Sequence, residues 1–295
     1  MMLNNIKQHL PWWSKIVAKL VLSRFPLSYN VWQKLNLFRH GNMNSPGYAL
    51  SVFEAHLIRS GLKGRLLGRT ILEIGPGDSI ATAIISKSYG AKAILVDVGH
   101  FADQNLRPYF ELCELLRKKG LRPPELSSES TLQDVLRACD GEYFTNGLAS
   151  WKQISSESVD FIFSQAVLEH IPKDEFLPTM QECRRVMKPG SIASHTVDLR
   201  DHLGDALNNL RFSEQIWESN FFKSSGFYTN RIRCLNLLKT FEAAGFIVEK
   251  TEVQRWDKLP TEREKLSPQF RNMPEDELCI KVLDVCLRAP KYEAL

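Results

Sequence analysis

From Thr70 onward the chain switches repeatedly between two periods of hydrophobicity. Short apolar runs of strand length ("TILEIG", "AKAILVDVG", "EYFTNG", "SVDFIFSQ", "SIASHTVDL") alternate with stretches of helical period. The helical stretches are "SIATAIISKSYG", "DQNLRPYFELCELLRKKG", "TLQDVLRACD" and "KDEFLPTMQECRRVMKPG", the first closing on Gly90 and the last on Pro189-Gly190. Alternation of this kind predicts an α/β fold, a parallel sheet covered by helices on both faces. A further helix, "RIRCLNLLKTFEAAG", and two strands, "FIVEKTEVQRW" and "LCIKVLDVCLRAP", follow. The last two strands are joined by a charged connection, "DKLPTEREKLSPQFRNMPEDE".

Two regions depart from the alternation. Residues 1–65 read as a helical N-terminal extension interrupted by the loop "HGNMNSPG", which leaves 66–295 as the main domain. After Leu199 the pattern dissolves into a polar and aromatic stretch without a clear strand, an insertion at about 200–230 lying over the sheet's carboxyl edge. Inside the extension, Trp13, Ile16, Val17, Leu20 and Val21 share one helical face opposite Lys15 and Lys19. Pro11 is placed to open this helix and Pro26 to follow it. Residues 11–25 therefore read either as a lid packed on the domain or as an interfacial helix in peripheral contact with anionic lipid. The pattern favours the lid.

Composition narrows the class. Hydrophobic residues make up 43% of the 295 and charged residues 24%, ordinary for a soluble globular protein. The first acidic residue is Glu54, so the extension is basic and the remainder nearly neutral. A net charge of +4 is a weak footprint for nucleic acid. No run approaches the roughly 20 apolar residues of a membrane span. Six scattered cysteines lack C-x-x-C or zinc spacing and read as free thiols, which points to the reducing cytoplasm, peripheral at the inner membrane face if the basic helix touches lipid.

The candidate chemistry begins at "ILEIGPGDSI". Gly75 and Gly77 leave the first strand and open a helix, where glycine lets the backbone turn tightly against a ligand. Asp97 ends the second strand 20 residues after Gly77, the spacing of a carboxylate that accepts ribose hydroxyls. A dinucleotide site prefers a third glycine, but the chain reads "DSIATA". Glu73 would repel a pyrophosphate and attract a cation. An adenosine ligand with positive charge, S-adenosylmethionine, fits both features.

"ILEIGPGDSIATA", "ILVDVGHFAD", "SVDFIFSQAVLEHIP" and "RRVMKPGS" resemble, in order and spacing, motifs of the class I S-adenosylmethionine-dependent methyltransferases, over roughly Thr70 to Leu199. The resemblance implies a Rossmann-like seven-stranded, mostly parallel sheet whose last strand is antiparallel. It also implies that Glu73, Gly75 and Gly77 line the methionine end and Asp97 holds the ribose. Asn146-Gly147 stands where the family often has Gly-Asp before the adenine, and Gln165 where it faces the reactive methyl. "LFRHGNMNSPGYALSVFEAH", "HTVDLRDHL" and "YTNRIR" look like a set of bacterial methyltransferases associated with surface-polysaccharide clusters, which points to a sugar hydroxyl as acceptor.

A hydroxyl needs a general base or a metal ion to lose its proton. "SHTVDLRDHLGD" supplies His195, Asp198, Asp201, His202 and Asp205 at the end of the fifth strand. His202, with Asp198 converging on it, is the leading base, and His195 the second. A divalent metal on Asp198, Asp201 and His202 is the alternative. The bland readings are a core histidine for His195 and a helix N-cap for Asp201. His170 and Glu169 in "LEHIP" are read as shaping the turn. Tyr228, Asn230, Arg231 and Arg233 of "YTNRIR" would meet an anionic acceptor, or else form a solvated helix start. Two other functions compete: a nucleic-acid methyltransferase, against which stands "SQAV" in place of N-P-P-Y or D-P-P-Y, and a non-catalytic cofactor-binding scaffold.

Overall fold

The computed structural model describes residues 12–14, 16 and 42–291. Seven strands form one sheet: β1 (Thr70–Ile74), β2 (Lys92–Val96), β3 (Glu142–Phe144), β4 (Val159–Gln165), β5 (Met187–Asp198), β6 (Ile247–Arg255) and β7 (Ile280–Arg288). Their order is β3-β2-β1-β4-β5-β7-β6. The first five are parallel, while β7 runs antiparallel to both β5 and β6. The order turns at β1, where the chain moves outward to β3 and then returns to β4 on the other side. In such sheets ligands gather beyond the carboxyl ends at that switch point.

Alternation along the strands decides which helices cover which face. Ile71, Phe161 and Phe163 point to one side, into a core built with α1 (Pro46–Arg59), α2 (Ala81–Ser88) and α3 (Arg107–Lys118). Leu72, Ile162, Ala193 and Val197 point to the other. There they meet Met180 and Val186 of α5 (Lys173–Val186), which follows the short α4 (Leu132–Ala138) in the chain. Helix α8 (Cys234–Ala243) adds Leu237 and Phe241 to that second core. Helix α1 buries Leu50, Phe53 and Leu57 in the first core, so the end of the N-terminal extension shares a core with the sheet across position 65. At the far edge β6 is mostly exposed and carries Glu249, Lys250 and Glu252, charges that discourage pairing with another sheet.

The insertion holds no strand. Between α5 and α8 it contains two one-turn helices, α6 (Glu214–Trp217) and α7 (Asn220–Lys223). Trp217, Phe222, Phe227 and Tyr228 form a small aromatic core of their own, joined by Leu203 and Ile16. Trp12 packs on this core, edge-on to Phe212 with centroids 6.3 Å apart. At these positions the N-terminal segment packs on the insertion, and one expected position differs. Trp13, expected on the apolar face, is 57% exposed, and Trp12 takes its place one turn from Ile16. The remainder of 11–25 lies outside the described residues. The connection 257–277 is also less solvated than its charge suggests: Leu266 and Phe270, with Leu278 just beyond it, pack on Leu207 and Leu210 of the insertion. All six cysteines are free and buried, and no helix among the described residues is long and apolar enough to cross a membrane.

Arg233 stitches these late segments to the sheet. Its guanidinium, fully buried, donates to the carbonyls of Leu199 (2.7 Å), Glu277 (3.0 Å), Leu278 (3.1 Å) and Ile280 (2.5 Å). Burial draws its pKa down to about 10, so it stays charged at neutral pH. Removing it strands buried acceptors at the end of β5 and the start of β7. Arg233→Met should destabilise the protein by roughly 2–4 kcal/mol. Denaturant unfolding checks this, and an unchanged midpoint would mean the stitch contributes nothing.

Candidate cofactor and acceptor site

The turn after β1 has the geometry its glycines predict. Gly75 and Gly77 both lie in the left-handed region, with φ of 68° and 64°. The Gly75 amide donates to Val96 O at 2.8 Å, tying the turn to the end of β2. A Cβ on Gly75 would sit 2.5 Å from Val167 Cγ1, so a side chain is excluded by packing as well as by conformation. Asp97 caps the other wall. Its carboxylate accepts from Gly77 N (3.0 Å) and Val98 N (2.7 Å), one bond on each oxygen. Each oxygen keeps a lone pair, which is what a ribose diol needs. The Gly147 amide donates to Asp97 O at 2.9 Å, so Asn146-Gly147 closes over the same residue. Val98, 73% exposed, lies between Asp97 and Gly147 and offers an apolar face beside the exposed Asn146 amide. Nothing in the sequence flagged Val98.

Glu73 is 2% exposed and its Oε2 has no hydrogen-bond partner. Burial, with the charge of Asp97 adding to it against the nearby Thr82 hydroxyl, pushes its pKa up to about 8. Burial likewise raises Asp97 to about 6, against the two amides it accepts from. An orphaned buried carboxylate beside a ribose-type acid is a fit for a cationic adenosine ligand, and S-adenosylmethionine would be held by Glu73, the 75–77 turn and Asp97.

Gln165 ends β4, and its Oε1 accepts from His56 Nε2 at 3.1 Å. His56, from α1, is buried beneath the site, and desolvation followed by the Arg59 charge lowers its pKa to about 3. The neutral ring that donates at Nε2 accepts at Nδ1 from the Ser194 hydroxyl, 2.8 Å away. Arg59 continues the network to Thr196 (3.2 Å) and Asp284 (2.6 Å). No residue pattern signals this network, because His56 sits in an ordinary amphipathic helix. Next to Gln165, Ala166 holds φ 52°, an unusual conformation for a residue with a side chain, fixed by its amide on Thr196 O at 2.8 Å.

The acid–base candidates sort differently from expectation. His195 is not at the ligand edge: it is fully buried on the α8 face, stacked on Phe241 with centroids 6.3 Å apart. Its Nδ1 bonds the Ser164 hydroxyl (2.8 Å) and burial lowers its pKa to about 3. It is a core histidine. Asp198 feels the charge of His202, but its side chain is bonded by Arg200. Arg200 takes both its oxygens, Nε to Oδ1 at 2.9 Å and an Nη to Oδ2 at 2.8 Å. Burial would raise its pKa, but the Arg200 bonds prevail and hold it below the usual carboxylate range. Asp201 caps a turn, not a helix, accepting from the amides of Leu203, Gly204, Ala206 and Asn208. Arg231 is committed to Glu214 and to the carbonyls of Asn209 and Phe212, so neither it nor Arg233 is offered to an anionic acceptor.

His202 instead converges with the pair read as turn-shaping. A single 3-10 turn after β4, Leu168–His170, presents Glu169 and His170, and their ligand atoms and that of His202 all lie within 4.8 Å of one another. The two imidazoles meet edge to face, centroids 4.7 Å apart and planes at 84°. His170 Nδ1 donates to Tyr228 O at 2.8 Å. The turn is braced from the insertion: the Asn230 amide donates to Glu169 O (2.7 Å), and its side chain to Leu168 O (2.8 Å) and Ile171 O (3.0 Å). Adjacency of Glu and His just past a strand was the available signal, and it pointed to structure only because their partner is 32 residues downstream.

Residues 128–194 match a family described as a methyltransferase domain. No curated protein matches the sequence. Similar solved structures include a SAM-dependent methyltransferase from Methanosarcina mazei, with 15% identity, a TM-score of 0.46, and 76% of this chain and 93% of that one covered. Phosphoethanolamine N-methyltransferase 2 of Haemonchus contortus, in complex with S-adenosyl-L-methionine, gives 15% and 0.46 and covers 86% of this chain but 54% of its own. A SAM-dependent methyltransferase from Archaeoglobus fulgidus gives 12% and 0.42, with 81% and 93% covered.

The raised acids set a pH dependence. A cationic ligand favours ionised Glu73, so affinity for S-adenosylmethionine should tighten roughly tenfold between pH 6 and pH 7, with proton release seen by calorimetry in buffers of different ionisation enthalpy. A flat profile would remove Glu73 from the site. Without ligand the sign reverses. The folded state keeps a proton that the unfolded chain loses near pH 4.5, so apo stability falls as pH rises from there towards 8. Glu73→Gln should abolish that fall. Separately, Asp97→Ala should weaken S-adenosylhomocysteine binding by roughly 1.5–3 kcal/mol, and equal affinities would exclude a ribose contact.

Proposed function

We propose, for a chain whose sheet order, glycine turn and methyltransferase-domain match mark it as an S-adenosylmethionine-dependent methyltransferase, that the methyl group goes to a hydroxyl of a small acceptor, a sugar unit in surface-glycan assembly. The observation that carries the oxygen acceptor is the Glu169–His170–His202 cluster, set past the end of β4 on the switch-point edge of the sheet. The likeness of "LFRHGNMNSPGYALSVFEAH" and "YTNRIR" to polysaccharide-associated methyltransferases supports the sugar.

The cofactor supplies a methyl carbon activated by its sulfonium. What the chain supplies is placement and proton removal. Glu73 and Asp97 fix the two ends of the ligand across the 75–77 turn. Gln165, oriented by His56, lines the end of β4 between that turn and the cluster. A sugar hydroxyl is a weak nucleophile, and the cluster is where its proton is lost as the oxygen attacks. The insertion, built on an aromatic core of its own, braces the turn that carries the cluster.

Radiolabelled methyl transfer into nucleotide sugars and fractionated cell-envelope glycans tests the acceptor class. Label appearing only in protein, nucleic acid or amines would overturn the hydroxyl reading. His202→Ala should lower turnover by roughly 10²–10⁴ with cofactor affinity nearly unchanged. His170→Ala should do the same, because the two rings share the cluster. Full turnover in both variants would place the chemistry elsewhere.

A further inference from the structure

Glu169 sets a physical problem that the turn does not solve. It is 2% exposed, and neither carboxylate oxygen has a hydrogen-bond partner. A buried carboxylate left this way carries its full desolvation cost unless something cationic or donating completes it. The Asp198 carboxylate repels it and is itself taken up by Arg200, while the nearby Asp198 backbone and the Arg200 charge offset only part of the burial. Two imidazoles also face it, with ligand atoms within 4.8 Å of the carboxylate and of each other.

We propose that Glu169, His170 and His202 form the binding site of a single divalent first-row cation of the zinc or manganese type. Two imidazole nitrogens and one carboxylate are a donor set those ions accept, and three protein ligands leave a position open for a substrate oxygen. The outer contacts match. His170 Nδ1 donates to the Tyr228 carbonyl, which places the proton on Nδ1 and the lone pair on Nε2, facing away from the backbone. Asn230 pins the turn that carries Glu169 and His170 by three hydrogen bonds. Ligand atoms around a tetrahedral ion with bonds of about 2.0–2.1 Å sit roughly 3.4 Å apart, so closure asks for side-chain shifts of about an ångström. This is the one such group among the described residues.

The site stands on geometry alone, whereas its use in deprotonation rests on the methyl-transfer reading above. In that use the acceptor hydroxyl occupies the open position and its pKa falls. Its proton leaves to water, its oxygen forms the new bond to the methyl carbon, and the carbon–sulfur bond breaks with its electron pair kept by sulfur as S-adenosylhomocysteine. With both rings engaged, the cation replaces a free histidine base.

The test is a titration of the full chain, stripped with chelator, with Co(II), followed by visible absorption and by calorimetry with Zn(II). Saturation at one equivalent with a Kd in the micromolar range or below is expected, with the spectrum of a mixed nitrogen–oxygen set. His170→Gln and His202→Ala should each weaken that binding at least 100-fold, with S-adenosylhomocysteine binding retained as proof of folding. Chelation should abolish methyl transfer and Zn(II) or Mn(II) restore it. Absence of saturable binding below millimolar Co(II), or equal binding by folded variants, overturns the site, and methyl transfer indifferent to chelator overturns its use in deprotonation. Metal binding by a protein that transfers no methyl group to any hydroxyl acceptor supports the site and sinks the hydroxyl reading instead.

Discussion

The contact between Gly75 and Val167 governs how the two halves of the site are held together. Gly75 belongs to the cofactor turn after β1, and Val167 leads directly into the 3-10 turn that carries Glu169 and His170. No Cβ fits between them, so the two turns pack backbone against side chain. Parallel pairing of β1 with β4, Ile71 with Phe161 through Glu73 with Phe163, brings both turns out at the same height. A register slip of one residue would send Glu73 to the opposite face and separate the turns. The groups proposed to bind the cofactor and to activate the acceptor therefore share a single corner, as an in-line transfer between two bound molecules requires.

That corner is completed from sequence-distant parts. The insertion contributes His202 and, through Tyr228 and Asn230, the backbone brace of the Glu169 turn. Arg233 anchors the end of the insertion to the end of β5 and the start of β7. Beneath the edge, α1 delivers His56 to Gln165 and Arg59 to Thr196 and Asp284. These buried polar bonds each add little net stability. Their value is geometric, since an unpaired member would be costly and so only one arrangement is tolerated.

The alternation of periods made the sheet and its helices legible, because strand and helix periods follow from burying one face at a time. The cofactor turn was legible too: glycine spacing and an acid twenty residues on report backbone conformations and distances that are local to one β-α-β unit. The acid–base cluster was not. His202 and Glu169 meet across an irregular insertion whose path no periodicity encodes, and proximity along the chain misleadingly grouped His202 with Asp198. His195 could be judged only by the face of β5 on which it falls, and that face became known once α8 and Phe241 were seen to cover it. Arg231 and Arg233 look like anion ligands in sequence because burial, not charge, decides that they bond backbone carbonyls.

Two buried acids now stand out as a pair. Glu73 and Glu169 each hold an oxygen without a partner, one on either side of the Gly75–Val167 contact. Burial raises the pKa of both, Glu169 well above the ordinary range with the charge of Asp198 adding to it. A fold has no structural use for two such groups, since well-packed apolar residues in their places would be as stable or more so. In the proposals above each acid is a place for positive charge: the cationic cofactor at Glu73 and a divalent ion at Glu169. The desolvation cost stored in the unliganded protein is then recovered on binding, which couples the ionisation of both acids to occupancy of the site.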